Sequence, residues 1–369
     1  MIKYDQFNYY NNNIVEGKFG LKQTFVNEII QSKDYDINQQ IQSLEFNYCE
    51  DIAVNRLPAN IKELIIVDGN IHNFEDIFLL VQLQKLNLIL NNKQIYNVDV
   101  IGQLTQLKEL QVCNHEINRT LFLQNLQKLN ILELGNNKIS DLNPIAQLTN
   151  LKELALWDNQ ITDISPLKSL NNLKYLNLCG NMITNISHLS NLSNLEQLYL
   201  WNNKIQDIYH LKYLIKLQCL SLEENQVIDI STIKFLTQLQ ELCLSDNYIV
   251  DISALANLSF LSDLSIGKNY IQDFSQVQHF KNIDNYYIDQ QKIPTKVQVL
   301  ISTKIQYIIQ LNEMTDDIHQ KKQSITKSLY RNFVKQRQLI GDCQSILLSF
   351  SEKVRDHFVS LQHLHSVEQ

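Results

Sequence analysis

The sequence predicts an α/β solenoid, with a parallel sheet on its concave side and short 3-10 or irregular turns on its convex side. One unit of 22 residues recurs seven times without insertion over residues 129–282. Two leucines of each unit stand two residues apart, so on a short strand both point to the same side. The ninth position is asparagine in all seven units: Asn137, Asn159, Asn181, Asn203, Asn225, Asn247 and Asn269.

The physics of a single unit explains why it must repeat. One short strand cannot bury its own apolar face, but strands stacked about 4.8 Å apart share a continuous leucine core. The chain then has to turn back, which brings backbone N–H and C=O groups inside. An asparagine side chain carries both a donor and an acceptor, so a buried column of asparagines can bond these groups. Each group left unpaired would cost about 1–3 kcal/mol, and we therefore assign this column, the asparagine ladder, a structural role.

The region before residue 129 is less regular. Residues 1–40 are polar and rich in tyrosine and asparagine, which predicts an N-terminal cap over the open end of the core. Imperfect units begin at Ile41, Ile61, Leu83 and Leu107, and the last of these has His115 in the asparagine column. A final half-unit ends at Ile293, so we expect a solenoid of about ten full repeats with partial ends over 41–293, with most distortion in its early units.

Residues 294–369 do not follow the 22-residue repeat. From Ile340 onward apolar residues recur at spacings of three and four, which predicts a helix with one apolar stripe. This helical C-terminal segment has two possible roles. It caps the last repeat, or it forms an exposed helix or coiled coil that recruits another chain, with self-association through residues 313–369.

Composition excludes several classes of function. No run of about 18 apolar residues exists, and Met1 is not followed by a secretory pattern, so we expect a cytoplasmic protein that does not span a membrane. A net charge of −7 makes nucleic acid an unlikely ligand. With 8 glycines there is no phosphate-binding loop, and no nucleophile elbow, CxxC or HExxH motif occurs. We therefore expect no enzyme activity, no cofactor and no metal.

The outward positions of the strands suggest a partner site. Trp157 and Trp201 are the only two tryptophans and share position 7 of their repeats, two strands or roughly 10 Å apart. Exposed aromatic residues surrounded by charge are typical of binding hot spots. The alternative is that broad side chains only shield their neighbours. The predicted partner-binding residues are Trp157, Tyr175, Tyr199, Trp201, Glu223 and Glu241.

An aspartate column precedes the turns. It comprises Asp141, Asp163, Asp207, Asp229, Asp251 and Asp273, with Asn185 in the same column. Its regular place before the inward isoleucine predicts that these carboxylates accept backbone N–H groups rather than bind cations.

The I-x-D-I-x-x-L variant of the repeat resembles the 22-residue leucine-rich repeats of bacterial internalins and of the leucine-rich-repeat regulatory subunit of protein phosphatase 1. The resemblance implies a horseshoe and a non-catalytic adaptor, and we expect it to bind a protein with a basic or mixed surface on its concave face. Similarity to the phosphatase regulator places partner contacts on the six residues named above. The alternatives are a structural or cytoskeletal scaffold assembled through the helical tail, or a phosphatase regulatory subunit.

Overall fold

A computed structural model describes residues 42–47, 52–69, 71–89, 95, 97–271 and 285–287. The chain divides into two compact units, a first unit ending at Lys138 and a second beginning at Ile139. The predicted cap at 1–40 and the predicted helical or coiled-coil segment at 294–369 lie outside the described residues.

The first unit contains parallel strands in the order β1-β3-β5-β6-β7, and a separate parallel pair of β2 and β4. Leucines stay in register through the irregular repeats: Leu64 pairs with Leu86, which pairs with Leu110. The strand bounds are Ser43–Asn47 (β1), Ile52–Ala53 (β2), Glu63–Val67 (β3), Ile71–His72 (β4), Lys85–Ile89 (β5), Glu109–Cys113 (β6) and Ile131–Glu133 (β7). The 3-10 helices are Val54–Arg56 (η1), Phe74–Leu79 (η2), Val98–Gln103 (η3) and Leu121–Asn125 (η4).

The second unit is more uniform. Its strands are parallel, and each strand between Glu153 and Ser265 follows a 3-10 helix of five residues, as the short convex runs predicted. The strands are Glu153–Ala155 (β8), Tyr175–Asn177 (β9), Gln197–Tyr199 (β10), Cys219–Ser221 (β11), Glu241–Cys243 (β12), Asp263–Ser265 (β13) and Asn285–Tyr287 (β14). The 3-10 helices are Asn143–Gln147 (η5), Ser165–Ser169 (η6), Ser187–Asn191 (η7), Tyr209–Tyr213 (η8), Ser231–Phe235 (η9) and Ser253–Asn257 (η10).

The core is built from equivalent leucines of successive repeats. Leu198 of β10 pairs with Leu176 on one side and Leu220 on the other, and all three are fully buried. Burying one such side chain contributes about 1.5–3 kcal/mol, so the repeated leucines are the main source of stability in both units. The predicted leucine-rich solenoid with 3-10 turns is confirmed.

The ladder asparagines are buried and bond the backbone of two successive repeats. The Oδ1 atom of Asn203 accepts the Ile183 N–H at 3.0 Å, while Nδ2 donates to Leu178 O at 2.9 Å and Leu200 O at 3.1 Å. Asn181, Asn225, Asn247 and Asn269 make the same set of bonds. In the first unit the His115 ring takes this place, with Nε2 3.3 Å from Leu88 O. The ladder therefore ties each turn to the strand ends beside it.

The described aspartates of the column cap the 3-10 helices, as predicted: Asp141, Asp163, Asp207, Asp229 and Asp251. Asp273 lies outside the described residues. Asp163 Oδ1 accepts the Ser165 backbone N–H, and Oδ2 accepts the Ser165 hydroxyl, both at 2.8 Å. These hydrogen bonds lower the pKa of Asp163 below its ordinary value. Asn185 makes the equivalent bond to the Ser187 N–H at 2.9 Å without any charge.

This cap makes a small part of the stability depend on pH. The pKa of Asp163 is lowered by folding, so its contribution is present at neutral pH and is lost as pH falls through the lowered pKa. Asp163→Ala should destabilise the chain at pH 7 by less than about 1 kcal/mol, because the carboxylate is exposed to solvent. Urea unfolding between pH 7 and pH 2 should show that the difference in free energy of unfolding between the native chain and Asp163→Ala becomes smaller as pH falls. Asp163→Asn, which copies Asn185, should lose less free energy of unfolding at pH 7 than Asp163→Ala, because its amide oxygen can still accept the Ser165 N–H. An equal loss for both variants at pH 7 would refute the assignment.

Candidate functional site on the sheet face

The strands of the second unit aim alternate side chains at the outer face of the sheet. Leu198 points into the core, so its neighbours Gln197 and Tyr199 point outward. Parallel register then aligns outward residues into columns running across the strands. Tyr175 stands opposite Gln197, and Tyr199 stands opposite Asn177 and Ser221. We call the six predicted partner-binding residues the sheet-face patch, and all six lie in the second unit.

The two tryptophans occupy one column, just beyond the ends of β8 and β10. The residue after each tryptophan, at position 8 of the repeat, has a left-handed backbone conformation, with φ of 50° at Asp158 and 53° at Asn202. Asn203 Nδ2 donates to Trp201 O at 3.3 Å, and the Gly180 N–H donates to the same oxygen at 2.8 Å. The backbone that carries the indoles is therefore held by the asparagine ladder and by the neighbouring repeat.

The tryptophans are half-buried rather than exposed, which differs from the sequence expectation. Cys179 stands between them in the same column and is only 4% exposed, although it points away from the core. Ala155 and Cys219 are similarly covered, at 3% and 8%. Small outward side chains of this face are thus buried, while each indole keeps part of its surface open to solvent.

Burial also makes the cysteines of this face unreactive. It raises the pKa of Cys179 and of Cys219 to about 12, so both thiols stay protonated at neutral pH. Cys113, Cys179, Cys219 and Cys243 are free, and Cys219 is out of register with Cys243 because it pairs with Glu241.

The two tyrosines are positioned by each other and by amide side chains. Their ring centroids lie 5.5 Å apart with the planes tilted by 46°. Asn177 Nδ2 donates to the Tyr175 hydroxyl at 3.3 Å, and the Tyr199 hydroxyl donates to Gln197 Oε1 at 3.4 Å. Burial raises the pKa of Tyr199, so its hydroxyl remains a neutral donor. The rings therefore need little reordering to meet a partner.

Carboxylates lie on the C-terminal side of the aromatic residues. Glu223 follows Trp201 in the tryptophan column, and the Ser265 hydroxyl donates to Glu223 Oε1 at 3.5 Å. Burial raises the pKa of Glu223, and the nearby charges of Glu224 and Asp246 raise it further. Glu241 Oε2 accepts the Cys219 thiol at 3.5 Å, and Asp246 pairs with Lys268 at 2.6 Å. This side of the patch offers hydrogen-bond acceptors and negative charge.

The six predicted residues lie on the outward positions that the repeat period assigns to them, and their role in binding stays a prediction. The sequence did not indicate that Asn177 and Gln197 would bond the two tyrosine hydroxyls. The described residues contain no group of three metal-ligating side chains. Nor does any helix in the described ranges have the length and hydropathy needed to cross a membrane.

Comparison with known proteins places the repeats in a family. The family model for leucine-rich repeats in two copies matches residues 149–191 and 193–235. An internalin from Listeria monocytogenes is similar in structure, with 26% identity and a TM-score of 0.57, over 72% of this chain and 94% of that one. Internalin C2 from the same organism has 35% identity and a TM-score of 0.49, over 51% and 82%.

A plant peptide hormone receptor, solved in complex with RGF2, shares the fold at 19% identity and a TM-score of 0.54, over 69% of this chain and 50% of that one. No curated protein matches the chain at a significant level. Together with the repeat register and the ladder, the family model and the first of these internalins show that the repeats are leucine-rich repeats and resemble those of internalins.

Proposed function

We propose that this chain is a non-catalytic, intracellular adaptor that binds a partner protein through the sheet-face patch. The observation that carries the proposal is the pair of half-exposed tryptophans, Trp157 and Trp201, in one outward column beside Glu223. Aromatic residues of this kind bury a large area and lose little conformational freedom on binding. The plant receptor complex shows that a leucine-rich-repeat protein can hold a ligand.

The charges beside the patch favour a partner with a basic surface. Glu223 and Glu241 would face lysine or arginine side chains of the partner, and the indole of Trp201 could stack against a guanidinium group. The pKa of Glu223 is raised, so its carboxylate is protonated at a higher pH than that of an ordinary glutamate. As pH falls, its attraction for a basic partner should therefore weaken earlier. The rings are held in place before binding, which reduces the entropy cost of association.

Substituting either tryptophan should weaken binding strongly. Trp157→Ser and Trp201→Ser each remove a hot-spot side chain worth about 2 kcal/mol, so each should raise the Kd of the principal partner roughly 30-fold. Serine is chosen because Ser245 occupies the same position two repeats after Trp201, so the backbone tolerates it. The partner is first identified by proximity labelling with the full chain, and its Kd is then measured by calorimetry.

Two comparisons make this experiment decisive. Phe260→Ser removes an exposed aromatic residue from the turn before β13, outside the patch, and should leave this Kd unchanged. The melting temperature of each variant is measured in parallel, since a folding defect would lower both together. If the two tryptophan variants bind the partner as tightly as the native chain, the patch is not the binding site.

A further inference from the structure

The 3-10 helices of the second unit expose a second set of large side chains, away from the strands. Tyr209 and Tyr213 of η8 are 51% and 50% exposed, Ile215 is 58% exposed, and Phe235 of η9 is 48% exposed. We call these four residues, together with Lys212 and Lys234, the 3-10-face patch. Thr232 Oγ1 donates to Ile208 O at 3.3 Å, which ties the two neighbouring turns together. Large apolar side chains left in water at adjacent turns often mark an interaction site.

The repeats themselves show that the fold does not require these side chains. Ser187 and Ser231 occupy the position of Tyr209 in the flanking repeats. Asn191 and Asn257 occupy the position of Tyr213 and Phe235, and Ser193 and Thr237 that of Ile215. All six equivalents are small and polar, and the 3-10 helices that carry them keep the same five-residue length. The aromatic residues of η8 and η9 are therefore additions to a scaffold that is stable without them.

Lysines hold positive charge directly against these rings. Lys212 Nζ lies 3.7 Å from the centroid of the Tyr209 ring and 5.0 Å from that of Tyr213. Lys234 Nζ lies 5.3 Å from the centroid of the Phe235 ring. Such cation–π contacts fix an ammonium group beside an apolar surface. The 3-10-face patch thus combines apolar area with cations, in a chain whose net charge is −7.

We propose that the 3-10-face patch docks a segment of a second protein that presents carboxylates beside large apolar side chains. Charge complementarity selects the carboxylates, which would meet the ammonium groups of Lys212 and Lys234. The apolar side chains of the segment would cover the rings of Tyr213 and Phe235. The sheet-face patch carries carboxylates, whereas the rings of the 3-10-face patch are contacted by lysine ammonium groups. The two patches therefore suit different partners, and this chain can bind both at once.

Two carboxylates argue against an anionic membrane as the occupant. Asp207 and Asp229 precede η8 and η9, where they accept the backbone N–H groups of Tyr209 and Ser231 at 2.8 Å. Both are exposed on the segments that carry the lysines. A broad anionic surface would meet these carboxylates as well as the lysines, whereas a narrow protein segment can contact the lysines alone.

The test uses a fluorescent synthetic peptide in which glutamate alternates with leucine and phenylalanine, titrated into the full chain by anisotropy. The native chain should bind it, with affinity falling as salt is raised. The double variant Tyr213→Asn/Phe235→Asn copies the flanking repeats and should weaken binding at least about tenfold. The double variant Lys212→Glu/Lys234→Glu should abolish binding.

Controls separate this surface from the proposed adaptor site. Trp157→Ser/Trp201→Ser should bind the peptide as the native chain does, and a peptide with lysine in place of glutamate should not bind. The proposal is overturned if the native chain fails to bind the acidic peptide, or if the Asn double variant binds it equally well. It is also overturned if phosphatidylserine vesicles capture the native chain while the peptide does not.

Discussion

Replacing Asn203 with alanine should lower the free energy of unfolding by about 3 kcal/mol, because one buried N–H loses its partner and several buried carbonyl groups lose a hydrogen bond. The Ile183 N–H loses its acceptor, whereas Leu178 O and Leu200 O each lose one of two amide donors and keep Asn181 and Asn225. Alanine is too small to refill the space, and water has little access because the side chain of Asn203 is buried. The loss should also spread to adjacent repeats, since each turn is held by the one beside it.

Urea unfolding followed by circular dichroism measures this effect, with Asn191→Ala as the matched control. Asn191 is an exposed asparagine of η7, so its removal should change the free energy of unfolding by no more than about 0.5 kcal/mol. The structural role of the ladder would be refuted if the two alanine variants unfolded at the same urea concentration.

Gly180→Ala should destabilise the second unit by about 2–3 kcal/mol, for two reasons that can be separated. Gly180 has φ of +63°, where any side chain is strained. A Cβ atom would also stand 1.8 Å from Asp158 Oδ1 and 3.0 Å from its Cγ. Because the carboxyl group of Asp158 can swing away, part of the clash should be relieved by movement of that side chain.

A double-mutant cycle isolates the clash from the backbone strain. In an Asp158→Gly background the carboxyl group is gone, so Gly180→Ala should cost less than it does in the native chain. The remaining cost measures the left-handed backbone alone. Thermal unfolding of the four proteins provides the numbers, and an identical cost in both backgrounds would show that Asp158 does not restrict this position.

Much of the fold could be predicted because its causes are local and repeated. Leucines two residues apart define the inward face of every strand, so Leu176, Leu198 and Leu220 could be assigned to the core without coordinates. The place of Asp163 before its turn likewise predicted the cap to Ser165. The columns of the candidate site followed from the same period, which is why Trp157 and Trp201 could be placed on one side.

What could not be predicted is how far each outward side chain is covered. Cys179 and Ala155 point away from the core and are nevertheless buried. That outcome depends on the sizes and rotamers of residues 22 positions apart in sequence. The cation–π pairs of η8 and η9 were missed for a related reason, since lysine and tyrosine at these spacings are also common on ordinary exposed turns.

Periodicity within the chain was therefore sufficient to establish the stacked strands, the inward leucines and the asparagine ladder, because each repeat meets a neighbour of nearly the same sequence. Only the tertiary structure decided how exposed Trp157 and Trp201 are. It also decided that lysines contact the rings of Tyr209, Tyr213 and Phe235. Those features arise where neighbouring repeats differ in sequence. There, exposure and contacts depend on which side chains of adjacent repeats pack against each other.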